Sequence, residues 1–445
     1  MHPQMEAEQQ QEVVASAVAP LEAKARWSLA LKIGFRFGLT YFILFCLPYP
    51  LNYLPWEKLT AWYDALWMKI VPWVGLHWLH LAQPIAPLSN GSGDTPYGDV
   101  KSLCFLALAA LITIVWSVLD RKRENYRTFH QWGRLYLRIF LGGTLLVYGA
   151  FKVIPAQFPP IWQWRYLETF GDSSPMGLLW TFMGASPSYT IFAGTVEMLG
   201  GILLFVPRLV TLGALISIAA MTNVFILNMS YDVPVKLFSF HLLLLGIFLI
   251  LPELQRLVSF FILNRPTEPS VPELRFGRRW LNRGFLIGQI ALGLIFAGYN
   301  LHAANLQLKS LTTGASAAKP PLRGTWAVDE FTLDGQVRPP LLTDSTRWQK
   351  AIIETTGGLM VQSMDGKLLR MPGKMDPDKK TLDLTRRDDA HWKANLSYAF
   401  PAAGIMTIDG QLNGQPVHIT LHQLDGKYLL NTRGFHWINM APFNR

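Results

Sequence analysis

The chain has 445 residues and a formal net charge of +10, with 50% hydrophobic and only 16% charged residues. The positive charge does not point to nucleic acid, because Lys and Arg lie in short loops between apolar runs and form no basic face. Cys46 and Cys104 are the two cysteines and no CxxC occurs, which excludes a thiol relay built on a local pair. Several apolar runs approach the ~20 residues that cross a bilayer, and 16 Trp suit aromatic belts at its interfaces.

Residues 1–26, rich in Gln, Glu and Ala, predict a mobile or weakly helical tail. The apolar run after Arg26 lacks a small-residue cleavage site and is taken as a retained helix. Seven spans are expected, at 28–50, 101–119, 134–154, 187–206, 209–230, 234–252 and 284–303. Residues 51–80 mix Trp, His and charges at helical spacing. They predict an amphipathic helix in the outer interface, with a re-entrant helix as the alternative. LSNGSGDTPYGD, residues 88–99, is a turn-rich external loop.

Arg121, Lys122, Arg123 and Arg127, then Arg208, then Arg256 through Arg283 fall in alternate connections. The other connections carry Asp64, Asp94, Asp99, Glu168, Asp172 and Asp232. The positive-inside rule then puts the N-terminus in the cytoplasm and the C-terminus outside. Cys46 and Cys104 lie near one face in this topology, so a disulfide and two isolated thiols both stay open.

After a linker at 306–323 the pattern changes to short alternating segments: GTWAVDEFTL, WQKAIIET, LMVQSM, KLLRMP, TLDLTR, WKANLSYAF, GIMTIDG, PVHITLHQ and KYLLNTRG. DG, NG, PG and DPDKK turns separate them, which predicts an antiparallel barrel or sandwich over 324–445. Gly324-Thr325-Trp326 resembles the GxW start of lipocalin-like barrels and implies a meander of about eight strands.

Ionisable residues at membrane depth pair, face a bundle interior or line a cavity. Counting at 1.5 Å per residue puts Glu197, Asn223 and His241 about 10–13 Å below the outer surface, with Tyr148 near that depth. Lys152, Gln157, Asn228, Asp232 and Lys236 would form the rim above them. Gly194, Gly200 and Gly201 bare the helix face of Glu197, which either admits a neighbouring helix or leaves room for a ligand. Glu197 and His241 are candidate proton carriers, or else a packing pair. Asp232 before Val233-Pro234 suits a helix cap, with Lys236 one turn on as its partner. No metal-ligand spacing, phosphate loop, Rossmann fingerprint or nucleophile elbow stands out.

The stretches YGAFKVIPAQFP, GDSSPMGLLWTFMG, FAGTVEMLGGILLF and NMSYDVPVKLFSFHLLLLGIFLILPE resemble the long bacterial members of the DoxX-like membrane proteins, as does the closing RGFHWINMAPFNR. The resemblance implies that spans 134–252 form a DoxX-like four-helix bundle in a bacterial inner membrane, with a periplasmic β-domain added. It carries over Lys152, Glu197, Asn223, Asp232, Lys236 and His241, which stand in the matching stretches. Such proteins include the membrane part of thiosulfate:quinone oxidoreductases, so the leading expectation is a quinone-linked redox component. Glu197 or His241 would move protons, and Tyr148, Asn223 and Lys236 would orient carbonyl oxygens. The alternatives are a non-enzymatic scaffold whose outer domain grips a partner protein, and a small-anion transporter.

Overall fold

The computed structural model describes residues 26–50, 57–87, 91–267, 269–270, 274–314 and 317–444. The expected tail at 1–26, apart from Arg26, lies outside these residues, as do Leu88, Ser89 and Asn90 of the turn-rich loop. The chain divides into two compact units, Met1–Leu146 with Glu197–Phe296 and Val147–Val196 with Ala297–Arg445.

The helices are α1 (Leu29–Cys46), α2 (Glu57–His77), α3 (Pro96–Leu119), α4 (Arg127–Val153) and α5 (Pro175–Ala185). They continue with α6 (Pro187–Leu204), α7 (Val210–Ser230), α8 (Lys236–Ile250), α9 (Leu254–Phe261) and α10 (Arg279–Thr312). Among the described residues, 6 helical stretches are long and apolar enough to cross a membrane. They are α1, α3, α4, Pro207–Ser230, Lys236–Phe261 and α10. The expected span at 187–206 forms α6, which has the length, with 18 residues, but is not one of the six. Helix α5 was not foreseen: its 11 residues start at Pro175 behind an N-cap, Ser174, whose side chain accepts from Gly177 N.

In the first unit α2 lays Tyr63, Trp67 and Val71 on the core, a four-residue spacing that shares one helix face. Its opposite face is also apolar, with Trp62 and Trp73 exposed. Gly142 on α4 and Gly201 on α6 pack backbone to backbone: a Cβ on either would meet the other's carbonyl oxygen at about 3 Å. Cys46, buried, and Cys104, half-buried, are free thiols.

In the second unit nine strands follow: β1 (Gly324–Leu333), β2 (Gln336–Val337), β3 (Trp348–Thr355), β4 (Gly358–Ser363), β5 (Leu368–Asp376), β6 (Thr381–Thr385), β7 (Lys393–Ala402), β8 (Ile405–Leu412) and β9 (Gln415–Gln423). All neighbours are antiparallel, and β1 pairs with β9 from Trp326↔Gln423 to Leu333↔Val417. That pairing closes β1 and β3–β9 into an eight-stranded barrel, and β2 is a two-residue ribbon on β1. The meander expected from the sequence is therefore a barrel, not a sandwich. Asn413-Gly414 takes two positive φ angles, 53° and 82°, between Leu412 and its partner Gln415, so the NG pair makes a two-residue hairpin turn.

Period-2 burial sends Leu382, Leu384, Leu396, Met406, Ile408, Ile419 and Leu421 inward. Trp326 is wholly buried and donates its indole N–H to Leu322 O at 3.0 Å. The expected last strand, KYLLNTRG, is instead a helical turn, α11 (Leu429–Thr432). Closure through β9 leaves β1 no free edge for another strand.

Candidate functional site

Of the expected polar residues, Asp232 and Lys236 meet at the N-terminus of α8. The sequence suggested Asp232 as the cap there. The cap is Asp94: its Oδ2 accepts from Lys236 N at 2.8 Å and its Oδ1 from Leu237 N at 3.0 Å. Val235, at the N-cap position, makes no side-chain cap bond. Asp94 thus satisfies two of the orphan N–H groups from 142 residues away and sets a carboxylate on the positive end of the helix dipole. Backbone bonds from Gly93 N and Asp94 N to Pro234 O, at 2.7 and 3.1 Å, hold the loop in place. Asp232 has φ +50° at the turn after α7 and pairs with Lys236 Nζ at 2.7 Å, as the i,i+4 spacing suggested. Lys236 Nζ also lies 3.7 Å from Asp94 Oδ2.

Beside this pair is an open cleft of about 390 Å³, lined by Asp94, Asp99, Phe225, Lys236, Leu237 and Phe240. The rings of Phe225 and Phe240 are 5.4 Å apart. Aromatic walls, one cation and two carboxylates are the ingredients of a site for a small amphiphile.

His241 lies one position beyond Phe240 and is buried. Its Nδ1 is 2.7 Å from Leu237 O, and its Nε2 is 2.5 Å from Tyr41 Oη. A carbonyl only accepts, so Nδ1 carries a proton and donates, while Nε2 shares a hydrogen bond with the Tyr41 hydroxyl. Phe45 stacks on the imidazole, with centroids 4.4 Å apart and planes at 8°. His241 is therefore held by two hydrogen bonds, and its side-chain partner comes from α1, a helix that the expected layer did not include. Asn228 is buried and donates from Nδ2 to Ser239 Oγ at 3.0 Å, tying α7 to α8.

The other expected residues are placed elsewhere. Asn223 is exposed, so it does not share an interior layer with His241. The buried stripe of α7 runs through Val210, Gly213, Ala214, Ser217, Met221 and Asn228. Residue 223 falls off it at 3.6 residues per turn, since equal depth does not imply equal direction around a helix. Glu197 is buried at 2% exposure. The glycines around it admit helices: Gly200 meets Ser217 and Ile216 of α7, and Gly201 meets Gly142 and Leu145 of α4. In the second unit Lys152 is buried and Tyr148 is 38% exposed. There Gly194 sits against Lys152 and the backbone of Gly149 and Val153. Among the described residues no group of three His, Cys, Asp or Glu forms a metal site.

Sequence reasoning missed a second polar cluster at the opposite ends of these helices. Arg36 is buried and donates to Tyr126 Oη from Nη2 at 2.6 Å and to Ser117 Oγ from Nη1 at 2.7 Å. Glu253 is buried between Arg256, at 3.0 Å, and Arg134, at 3.8 Å. Arg138 donates to Gln289 Oε1. A lone Arg within an apolar run was the available signal for Arg36.

With this geometry in hand, the comparisons with known proteins give a limited placement. Over 124 residues, 28% of this chain and 79% of the relative, it is 30% identical to "Uncharacterized protein YwoB" of Bacillus subtilis (strain 168). The chain belongs to the family of YwoB. No family model matches it. No solved structure matches it either.

Proposed function

We propose that this member of the YwoB family is a quinone-linked redox component of the inner membrane, of the DoxX-like kind. The observation that carries the reading is the cleft at the start of α8, which Phe225 and Phe240 line together with Lys236. A quinone ring would lie against the phenyl pair in the cleft, and the Lys236 ammonium would donate to a carbonyl oxygen as charge develops on it. Reduction to the quinol takes two electrons and two protons. The electrons would come from a partner protein. The protons would enter through the open side of the cleft beside Asp99 and Asp232, and the hydrogen-bonded Tyr41 and His241 would serve as a proton relay of the same unit. Glu197, buried at 2%, is a candidate proton reservoir of the same unit. In this reading the N-terminus is cytoplasmic and the barrel lies on the outer side.

Mass spectrometry of the molecules that copurify with the full chain tests the reading. Wild type should retain a quinone, and Lys236→Met should lose it while keeping its fold. Wild type without a quinone, together with unchanged substrate-dependent reduction in quinone-depleted membranes, would sink the idea.

A second reading rests on the barrel. Its interior is filled by apolar side chains, so the domain acts through its surface, as a scaffold that holds a partner protein would. Deleting residues 324–445 would then abolish association, while Lys236→Met would leave it unchanged.

A further inference from the structure

After β9 the chain leaves the barrel and ends in an apolar loop that nothing in the second unit covers. Phe435, Trp437, Ile438 and Met440 are 84%, 88%, 75% and 96% exposed. The loop is not an unfolded end. Arg433 donates from Nη2 to Asn439 Oδ1 at 2.7 Å, and Asn439 Nδ2 donates to His436 O at 3.1 Å. The Arg433 guanidinium lies 3.9 Å from the Phe443 ring centroid. Polar groups are bonded within the loop and large apolar ones point out, the reverse of a water-facing loop. Contiguous apolar patches of this kind on soluble surfaces mark contact sites.

Three observations identify the occupant. First, the loop starts at the membrane-helix end of the barrel. Leu424 N donates to Thr325 O at 2.9 Å and Gln423 Nε2 to Arg323 O at 3.2 Å. Arg323 Nη1 in turn reaches Thr312 O, the end of α10, at 3.1 Å. Second, the path to the loop runs beside the connection between α4 and α6. Tyr428 stacks on Tyr166 with centroids 4.6 Å apart and planes at 2°. Leu430 shares a cleft with Ile161, Leu178 and Thr181, the last two on α5, whose end at Ala185 lies two residues before α6 begins. Third, the composition suits lipid. Residues 433–445 hold two Arg, one Trp and two Phe and no Asp or Glu. Aromatic rings favour the headgroup level, and cations favour anionic lipid.

We propose that residues 433–443 are a monotopic anchor, which inserts Phe435, Trp437, Ile438 and Met440 into the boundary of the bilayer that this chain's own helices cross. The anchor holds the α10-side end of the barrel against lipid. It needs the six membrane-length helices and is independent of any quinone.

The test uses the full chain in vesicles of phosphatidylcholine and phosphatidylglycerol. An environment-sensitive fluorophore is placed at Met440→Cys, and in a second sample at Lys379→Cys, in the exposed turn between β5 and β6. Both carry Cys46→Ala and Cys104→Ala. Position 440 should lose most of its emission to nitroxide-bearing lipid and little to aqueous iodide, and position 379 the reverse. Iodide quenching at 440 equal to that at 379 overturns the proposal. So does a label at 440 that neither quencher reaches, since a second copy or another protein then covers the loop. If the cysteine-free background does not fold, trypsin cleavage after Arg433 in the otherwise unaltered chain serves instead. Vesicles should protect that bond several-fold relative to a Trp437→Ser, Ile438→Ser chain, and equal cleavage of the two would overturn the anchor.

Discussion

The barrel and the helical unit bury opposite chemistry. The barrel core holds apolar side chains around Trp326, and Arg347, also buried, is bonded to backbone oxygens of Arg338, Trp348 and Asp329. The barrel's ion pairs are more exposed, as His418 with Asp409 at 2.6 Å and His422 with Asp329 at 2.7 Å. The helical unit buries Arg36, Arg134, Arg138, His241, Glu253 and Gln289, while Leu111, Ile114, Val118 and Leu119 of α3 are exposed. The difference follows from the surrounding medium. Water takes up polar groups at no cost and drives apolar ones inward. Hydrocarbon solvates apolar side chains as well as a protein core does, so the helices turn their expensive groups toward each other. A buried pair therefore means different things in the two units. In the helices it ties one element to another, and in the barrel the apolar core carries most of the packing.

The comparison can be broken or sharpened by substitution, in falling order of effect. Glu253→Ala removes the buried carboxylate that faces Arg134 and Arg256, and removal of one partner from a buried pair costs about 3–5 kcal/mol. Thermal unfolding in detergent should show it, and a shift no larger than that of a surface variant would mean that the cluster is solvated. Trp326→Ala should cost the barrel a similar ~3–5 kcal/mol, because it empties the largest site in the interior. Resistance to proteolysis would fall for the barrel fragment first.

Asp94→Ala removes the distant cap of α8, and the loss of a cap costs about 0.5–2 kcal/mol. Hydrogen exchange at Lys236 and Leu237 should rise, while exchange at the end of α8 stays as it was. Tyr41→Phe costs about 0.5–1.5 kcal/mol as a lost hydrogen bond. Under the quinone reading, however, its reduction rate should fall by far more than its stability.

The smallest effect lies on the barrel surface. Asp365 has its carboxyl held down to about 2, first by the Ser363 hydroxyl and then by Lys367. A depressed carboxyl pKa contributes stability at pH values above the ordinary one. That contribution fades as pH falls from about 4 toward 2. Asp365→Asn should lower the barrel's stability slightly at neutral pH and flatten the acid limb of its unfolding curve, so that the two chains converge as pH approaches 2. Glu354 runs the other way. Burial raises its pKa, while its Oε1 still accepts from Gln163 N at 2.8 Å.

Much of the architecture was legible in local pattern. GTWAVDEFTL and WQKAIIET are strands over their full length, because alternation and the turns around them act within ten residues. Apolar runs likewise located the membrane-length helices. Helix α5 escaped because its 11 residues are too short to read as a span. KYLLNTRG looked like a strand because nothing local reveals that the sheet is already closed.

The site divides in the same way. The i,i+4 spacing alone paired Asp232 with Lys236. Asn228, expected at the rim, is buried, and the buried positions of Glu197 and His241 agree with the cost of polar groups at depth. Depth placed Asn223 beside them, but direction around the helix placed it outside. Composition and periodicity, which act over one or two turns, are enough to set the class of each element. The partners of His241 and of the α8 terminus, Tyr41 and Asp94, come from 200 and 142 residues away. Only the packing of α1, α3 and α8 brings them together, since a hydrogen bond needs contact in space and carries no period along the chain.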